Sequence, residues 1–281
     1  MQSNRYVSRY KNPILRALKI AATLISLSFI AYVVSTQKVD WGLLIPREGQ
    51  LLGVGLVLLL MPLNWWLEAL RWRLAVPEER LSVRQSVNRV LIGLALNWWV
   101  PFTLGDAGGR LAGVENIKKA VSGLVQVRLI SLLLTVGFGG MSVLYYFQFA
   151  QQYLVPALCA LVALLFIAPF YISKINLRLL LHFSVIRYVV FTSQLFLLLY
   201  VFLPEIPPAG LVMGIGWIFL FRSVIPSLFG NFGVREASAL VFFESFEVNP
   251  AAIIAPCVLV WLINTVLPSI VGALRLSQIK H

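Results

Sequence analysis

The sequence predicts an all-α polytopic membrane protein, with six spanning helices plus two re-entrant or broken helical hairpins in an inverted-topology repeat. Three observations lead there. The chain is too apolar for water, its apolar runs are of membrane length, and two further runs are broken by the same motif at a fixed spacing.

Of the 281 residues, 59% are hydrophobic and 12% charged, and the mean hydropathy is +0.86. Soluble domains are roughly 45–50% apolar and about 25% charged. A water-soluble fold of this length has no means of covering so much apolar surface, and lipid is its natural solvent. The net charge of +12 does not mark a nucleic-acid protein. The 23 Lys and Arg form no contiguous basic domain and flank apolar runs, where topology signals sit. Cys159 and Cys257 lie in apolar stretches, and His182 and His281 are the only histidines. Neither a disulfide framework nor a metal cluster follows from them, and no motif calls for a cofactor. The basic stretch from Arg5 to Lys19 runs into a long apolar segment with no small-residue cleavage signal. It is expected to lead an uncleaved first span.

A spanning helix needs about 20 mostly apolar residues. Segments 14–36, 49–70, 120–147, 153–173, 186–203 and 250–274 satisfy that length. Segments 86–117 and 210–247 differ from these. Each has an apolar run, a Pro, a Gly-rich polar break, an Arg and a second short apolar run. Such irregular backbone survives at membrane depth only where protein buries it or where it lines a wet cavity. Pro101, Gly105, Asp106, Gly108 and Arg110 align with Pro226, Gly230, Asn231, Gly233 and Arg235 as P-x-x-x-G-[DN]-x-G-x-R, at a constant offset of 125 residues. Matched interruptions in two halves of a membrane protein point to a binding site between internal repeats.

With the N-terminus inside, the cytoplasmic side carries 19 basic residues, in the groups 5–19, 71–89, 110–128, 174–187 and 275–280. The outside carries Lys38 and Arg47, and Arg222 and Arg235 fall in the second break. The bias predicts N-in and C-in in a cytoplasmic membrane. The halves are then 1–148 and 149–281, each a span, a span, a broken hairpin and a span, in opposite orientation.

The expected site follows from the breaks. Gly105 and Gly108, with Gly109, and Gly230 and Gly233, beside Asn231, allow close approach of a ligand to the backbone. A helix N-terminus attracts anions, and Arg110 and Arg235 stand at the two openings. The planar guanidinium matches a phosphate or carboxylate. Asp106 and Glu236 are on hand as partners for these arginines, with Glu115 and Glu244 on the return helices. Arg128 and Arg222 lie deeper in apolar sequence and are expected to face the protein interior. Asn264 is placed to hydrogen-bond between helices. Glu68, Arg71 and Arg73 in EALRWRL, with Trp65, Trp66 and Trp72 around them, read as interfacial anchors at a span end, with head-group recruitment as the sharper alternative. Trp98 and Trp99 flank the first break.

SVIPSLFGNFGVREAS resembles the P-x-x-x-G-x-x-G-x-x-E element of the lysylphosphatidylglycerol synthase transmembrane-region family, and EALRWRL and TLGDAGGRLAGV resemble its earlier elements. The resemblance spans about residues 15–275, with GVRE its most specific part. It implies a lipid flippase module and a site element of Gly230, Gly233, Arg235 and Glu236. A weaker match adds Gly105, Asp106 and Arg110, where GDAGGR departs from the glycine–Glu–Arg order of the family.

The expected function is transport of a phosphate-bearing lipid, aminoacyl- or polyprenyl-linked, across the membrane. The alternative is a non-catalytic partner that presents lipid to a separate synthase or glycosyltransferase. A lipid-modifying enzyme ranks below both, since no nucleophile–base pair is visible. The implied partners are membrane lipids with anionic head groups, and further copies of the chain or a separate synthase.

Overall fold

The computed structural model of the chain describes residues 13–97, 104–148, 175–225 and 231–278, with isolated helical positions at 152, 156 and 160. Every regular element among them is helical. The long elements are α1 (Pro13–Thr36), α2 (Glu48–Ala75), α5 (Ile117–Tyr146), α6 (Ile175–Phe202) and the pair α9 (Pro250–Trp261) and α10 (Leu267–Gln278). Two helix–break–helix units complete the architecture: α3 (Val83–Leu96) with α4 (Leu104–Leu111), and α7 (Pro208–Val224) with α8 (Val234–Phe243).

Four stretches are long and apolar enough to cross a membrane: Trp41–Ala75, Ile117–Tyr146, Ile175–Phe202 and Pro250–Leu276. Ile20–Thr36 and Pro208–Val224 are shorter apolar helices. Apart from the helical positions 156 and 160, the expected span at 153–173 lies outside the described residues, as do Trp98, Trp99, Pro101, Pro226 and Gly230. The span expected at 186–203 begins at Ile175. Arg178, His182 and Arg187 are helical and not a pre-span loop.

Side chains set several helix starts. Ser82 and Gln85 form a reciprocal cap on α3: Ser82 Oγ accepts from Gln85 N–H at 3.2 Å, and Gln85 Oε1 from Ser82 N–H at 2.8 Å. Asn116 Oδ1 accepts from Lys119 N–H at α5, and Asn249 Oδ1 from Ala251 N–H at α9. Pro208 and Pro250 stand at first helical positions, where their missing N–H costs nothing. Between α9 and α10 the helix widens into a π-turn over Leu262–Val266, just beyond Pro256. Such turns recur at functional sites.

The long helices α2 and α6 pack along each other, and Gln194 Nε2 donates to the Val57 carbonyl between them at 3.1 Å. Around this pair α3 packs on α10 and α5 on α7. Both crossings use glycine. A Cβ on Gly272 would run into the Leu91 carbonyl, and one on Gly139 would press on Leu220 and the Gly216 carbonyl. The main apolar core gathers on the α6, α7, α8 and α9 side, around Leu198, Ile215, Trp217, Phe242 and Phe243. Leucine and valine side chains of α5, such as Val125, Leu129 and Leu133, remain exposed, as a lipid-facing surface requires.

A central arginine-lined cavity as the candidate functional site

In an apolar helix a guanidinium must face protein or water, and the arginines of this chain converge. α2, α3, α4, α5, α6, α7, α8, α9 and the π-turn all contribute to one cavity of about 270 Å³. Five arginines line it, Arg110, Arg128, Arg187, Arg222 and Arg235, with two carboxylates, Glu68 and Asp106. Asn64, Asn97, Asn264 and Thr265 add uncharged polar groups, and Trp65 and Phe191 add aromatic wall.

Glu68 is the hub. Its Oε2 accepts from Arg71 Nη1 at 2.6 Å and its Oε1 from Arg110 Nη2 at 2.7 Å. Arg187 Nε lies 2.8 Å from Glu68 Oε2, close enough for Coulomb attraction but out of hydrogen-bond alignment. Arg71 is held further by Ser184 Oγ, Ser131 Oγ and the Val127 carbonyl. Glu68 and Arg71 are three residues apart on α2 and share a face. That face turns inward: Arg71 is 1% and Glu68 9% exposed. The interfacial-anchor reading of EALRWRL is therefore corrected for Glu68 and Arg71, whereas Arg73 is exposed. Trp72 is fully buried 5.9 Å from the Arg110 guanidinium, Trp65 lines the cavity, and Trp66 alone of the three is exposed. Periodicity was blind to this because the pattern E-x-x-R fits an anchor and an internal ion pair equally well.

α4 brings in the first break. Arg110 Nε donates to Asp106 Oδ1 at 2.7 Å, one turn back, and Arg128 Nη2 lies 3.3 Å from Asp106 Oδ2. Gly105 and Gly108 are both helical here. Gly105 lets α4 close on the end of α3, since a Cβ would run into Leu96 and Asn97, while Gly108 meets open space. Asn97 Oδ1 accepts the Asp106 N–H at 2.8 Å, so a side chain of the protein caps the start of α4.

The second break uses another device. Asn231 and Gly233 take left-handed backbone, with φ of 66° and 89°, conformations that Gly and Asn adopt at least cost. Glu236 Oε2 accepts the Gly233 N–H at 2.7 Å, again capping a helix start from within. Arg235, 2% exposed, donates from Nη1 to the Cys257 carbonyl at 3.0 Å and reaches the cavity, whereas Glu236 is buried behind it. Arg222 enters from α7, its guanidinium stacked over Phe191 and Phe219. Asn264 accepts from Asn64 Nδ2 at 3.3 Å, joining α2 to the π-turn.

Two expectations change. Glu115 and Glu244 are exposed at turns and partner no interior arginine. Arg71, Arg110, Arg128 and Arg187, counted as end-of-span topology signals, belong to the network around the cavity, which leaves fifteen of those nineteen basic residues for the expected orientation bias. Arg187 went unrecognised as a site residue. The signal for it is an arginine twelve residues inside a long, largely apolar helix. Compared with models of known families and with curated proteins, the chain finds no match.

Proposed function

We propose that the chain is a transporter for an anionic, phosphate-bearing lipid, moved across a cytoplasmic membrane through the central cavity. The observation that carries this reading is the cavity itself, where five arginines from five helices surround about 270 Å³ of space deep in an apolar protein. Ionisable groups at such depth mark substrate paths. The volume lies just below the roughly 300–1,000 Å³ of small-molecule sites, so it suits a head group while acyl chains stay in lipid. Arg128, at 43% side-chain exposure beside the lipid-facing Val125 and Leu129, marks the side on which a head group enters.

The reading includes six spans and two hairpins in an inverted repeat, with both termini cytoplasmic. Its support is a correspondence of contacts. α3 on α10 answers α5 on α7, α2 on α3 answers α6 on α7, α2 on α5 answers α6 on α9, and α4 on α5 answers α8 on α9. Arg110 and Arg235, matched by the offset of 125, both line the cavity. Glu79 accepts the Glu115 and Asn116 N–H groups, and Lys119 pairs with Glu78, which groups the basic turns at one end. Asn249 reaches the Lys38 carbonyl and Gln50 the Val201 carbonyl at the other. Kinship with the lysylphosphatidylglycerol synthase transmembrane region belongs to the same proposal, carried by the GVRE and EALRWRL elements.

The test is translocation of head-group-labelled anionic lipid in proteoliposomes. Wild type is expected to move the label between leaflets, and Arg110→Ala and Arg235→Ala to lose at least about tenfold in rate, equivalent to ~1.4 kcal/mol. Normal transport by both variants removes the cavity from the path. No transport by folded wild type favours a protein that presents lipid to a separate synthase.

A further inference from the structure

The charge balance of the cavity specifies its ligand more narrowly than a phosphate-bearing lipid. Five lining arginines face two lining carboxylates, an excess of three positive charges. Behind the wall, Arg71 on Glu68 and Glu236 beside Arg235 add one charge of each sign, so the excess stands. Of the chain's eleven Asp and Glu, those three are interior and the other eight lie in turns or at helix ends. No further carboxylate is available to neutralise the cluster.

The two lining carboxylates are also fully engaged. Glu68 Oε1 serves Arg110, and its Oε2 serves Arg71 and Arg187. Asp106 Oδ1 serves Arg110 and its Oδ2 Arg128. An arriving ammonium therefore meets no available acceptor of negative charge and five cations. Donors, by contrast, are in surplus. Arg110 Nη1 is buried with no hydrogen-bond partner, an arrangement costly to maintain unless an anion takes it up, and Arg187 Nε meets Glu68 only as an ion pair out of hydrogen-bond alignment. No lysine lines the cavity among the described residues, and the planar guanidinium is suited to bidentate contact with phosphate oxygens.

Resting on the lipid-transport reading above, we propose that the cavity selects a head group with at least two negative charges, a phosphomonoester or diphosphate. It discriminates against singly charged phosphodiesters and rejects aminoacylated phospholipids, whose ammonium groups add to the positive excess. Among the two lipid classes that the sequence suggests, this selects the polyprenyl-phosphate type over the aminoacyl type.

The experiment uses the purified full chain in neutral detergent at pH 8, where a phosphomonoester is a dianion because its second pKa is roughly 6. Three probes are titrated with thermal unfolding and calorimetry as readouts: dodecyl phosphate, its methyl ester with the same tail and one charge fewer, and inorganic phosphate without a tail. Dodecyl phosphate is expected to bind at least about tenfold more tightly than the ester, and inorganic phosphate weakly. Arg222→Gln holds no carboxylate of the Glu68–Asp106 network, and it is expected to leave folding intact while narrowing the gap between dianion and monoanion. Inorganic phosphate binding as tightly as dodecyl phosphate keeps the dianion preference and shows the ligand to be a free anion. The ester binding as tightly as the monoester, or no probe binding to protein that still unfolds cooperatively, overturns the proposal. Tight dodecyl phosphate binding without translocation in proteoliposomes removes the transport reading alone.

Discussion

Glu68 forms ion pairs with three guanidinium groups, at 2.6 to 2.8 Å, at a site that water barely reaches. Removing one partner of such a buried set leaves uncompensated charge and costs about 3–5 kcal/mol. Glu68→Ala is therefore expected to lower the thermal unfolding midpoint sharply and to reduce the yield of folded protein. Asp106→Asn is expected to cost less, because Arg110 keeps Glu68 and Arg128 is partly exposed. Thermal unfolding of the two variants side by side checks this order, and equal destabilisation contradicts the placement of Glu68 as hub. The arginines of the breaks were legible in the sequence because a cation in a long apolar run has few places to go. Glu68 was not, because an acid three residues from an arginine at a span end has two folded solutions of equal periodicity. Only the packing of α2 against α6 decides between them.

At the scale of elements, glycine sets how closely the hairpin helices lie. A Cβ on Gly109 would run into the backbone of Gly93 on α3, whereas one on Gly108 meets nothing. Gly109→Ala is expected to push α4 off α3 and cost about 1–3 kcal/mol. Gly108→Ala is expected to be neutral or stabilising by about 0.5–1 kcal/mol, the ordinary gain of Ala over Gly within a helix. Thermal unfolding again distinguishes them, and translocation should fall with the first substitution and survive the second. From the sequence the three glycines of GDAGGR looked equivalent, as ligand-approach positions. Their roles diverge once α4 winds as a helix and its period of 3.6 turns Gly105 and Gly109 to one face and Gly108 to another. The matched P-x-x-x-G-[DN]-x-G-x-R pattern falls where α3 gives way to α4 and α7 to α8, yet it hid a difference in their construction: Gly105, Asp106, Gly108 and Arg110 are helical, whereas Asn231 and Gly233 precede their helix. Asn97 caps α4 from across the hairpin, and Glu236 caps α8 from within its own first turn.

At the scale of the molecule, the proposed inverted arrangement makes a plain topological statement. Lys38→Cys and Glu247→Cys are expected to react with a membrane-impermeant thiol reagent from one face, and Glu79→Cys and Glu115→Cys from the other. Labelling of all four from one face contradicts it. The long apolar helices and the basic bias were readable from composition and order alone, since lipid imposes length and orientation on each segment separately. The convergence of cations from five helices was not, because it depends on which helix stands beside which.

That neighbour relation has an outcome for how the chain holds together. α3 leans on α10 and α5 leans on α7, so each half clasps the other's hairpin, as in an exchanged pair of subunits joined by a single peptide link. Severing that link between Gln148 and Gln152 breaks one covalent connection and none of the described packing. Fragments 1–148 and 149–281 produced in the same cell are expected to find each other, co-purify and regain transport. Either fragment alone, its hairpin left without a clasp, is expected to be degraded. On the proposed repeat, the polypeptide is a fused couple whose quaternary structure has become internal.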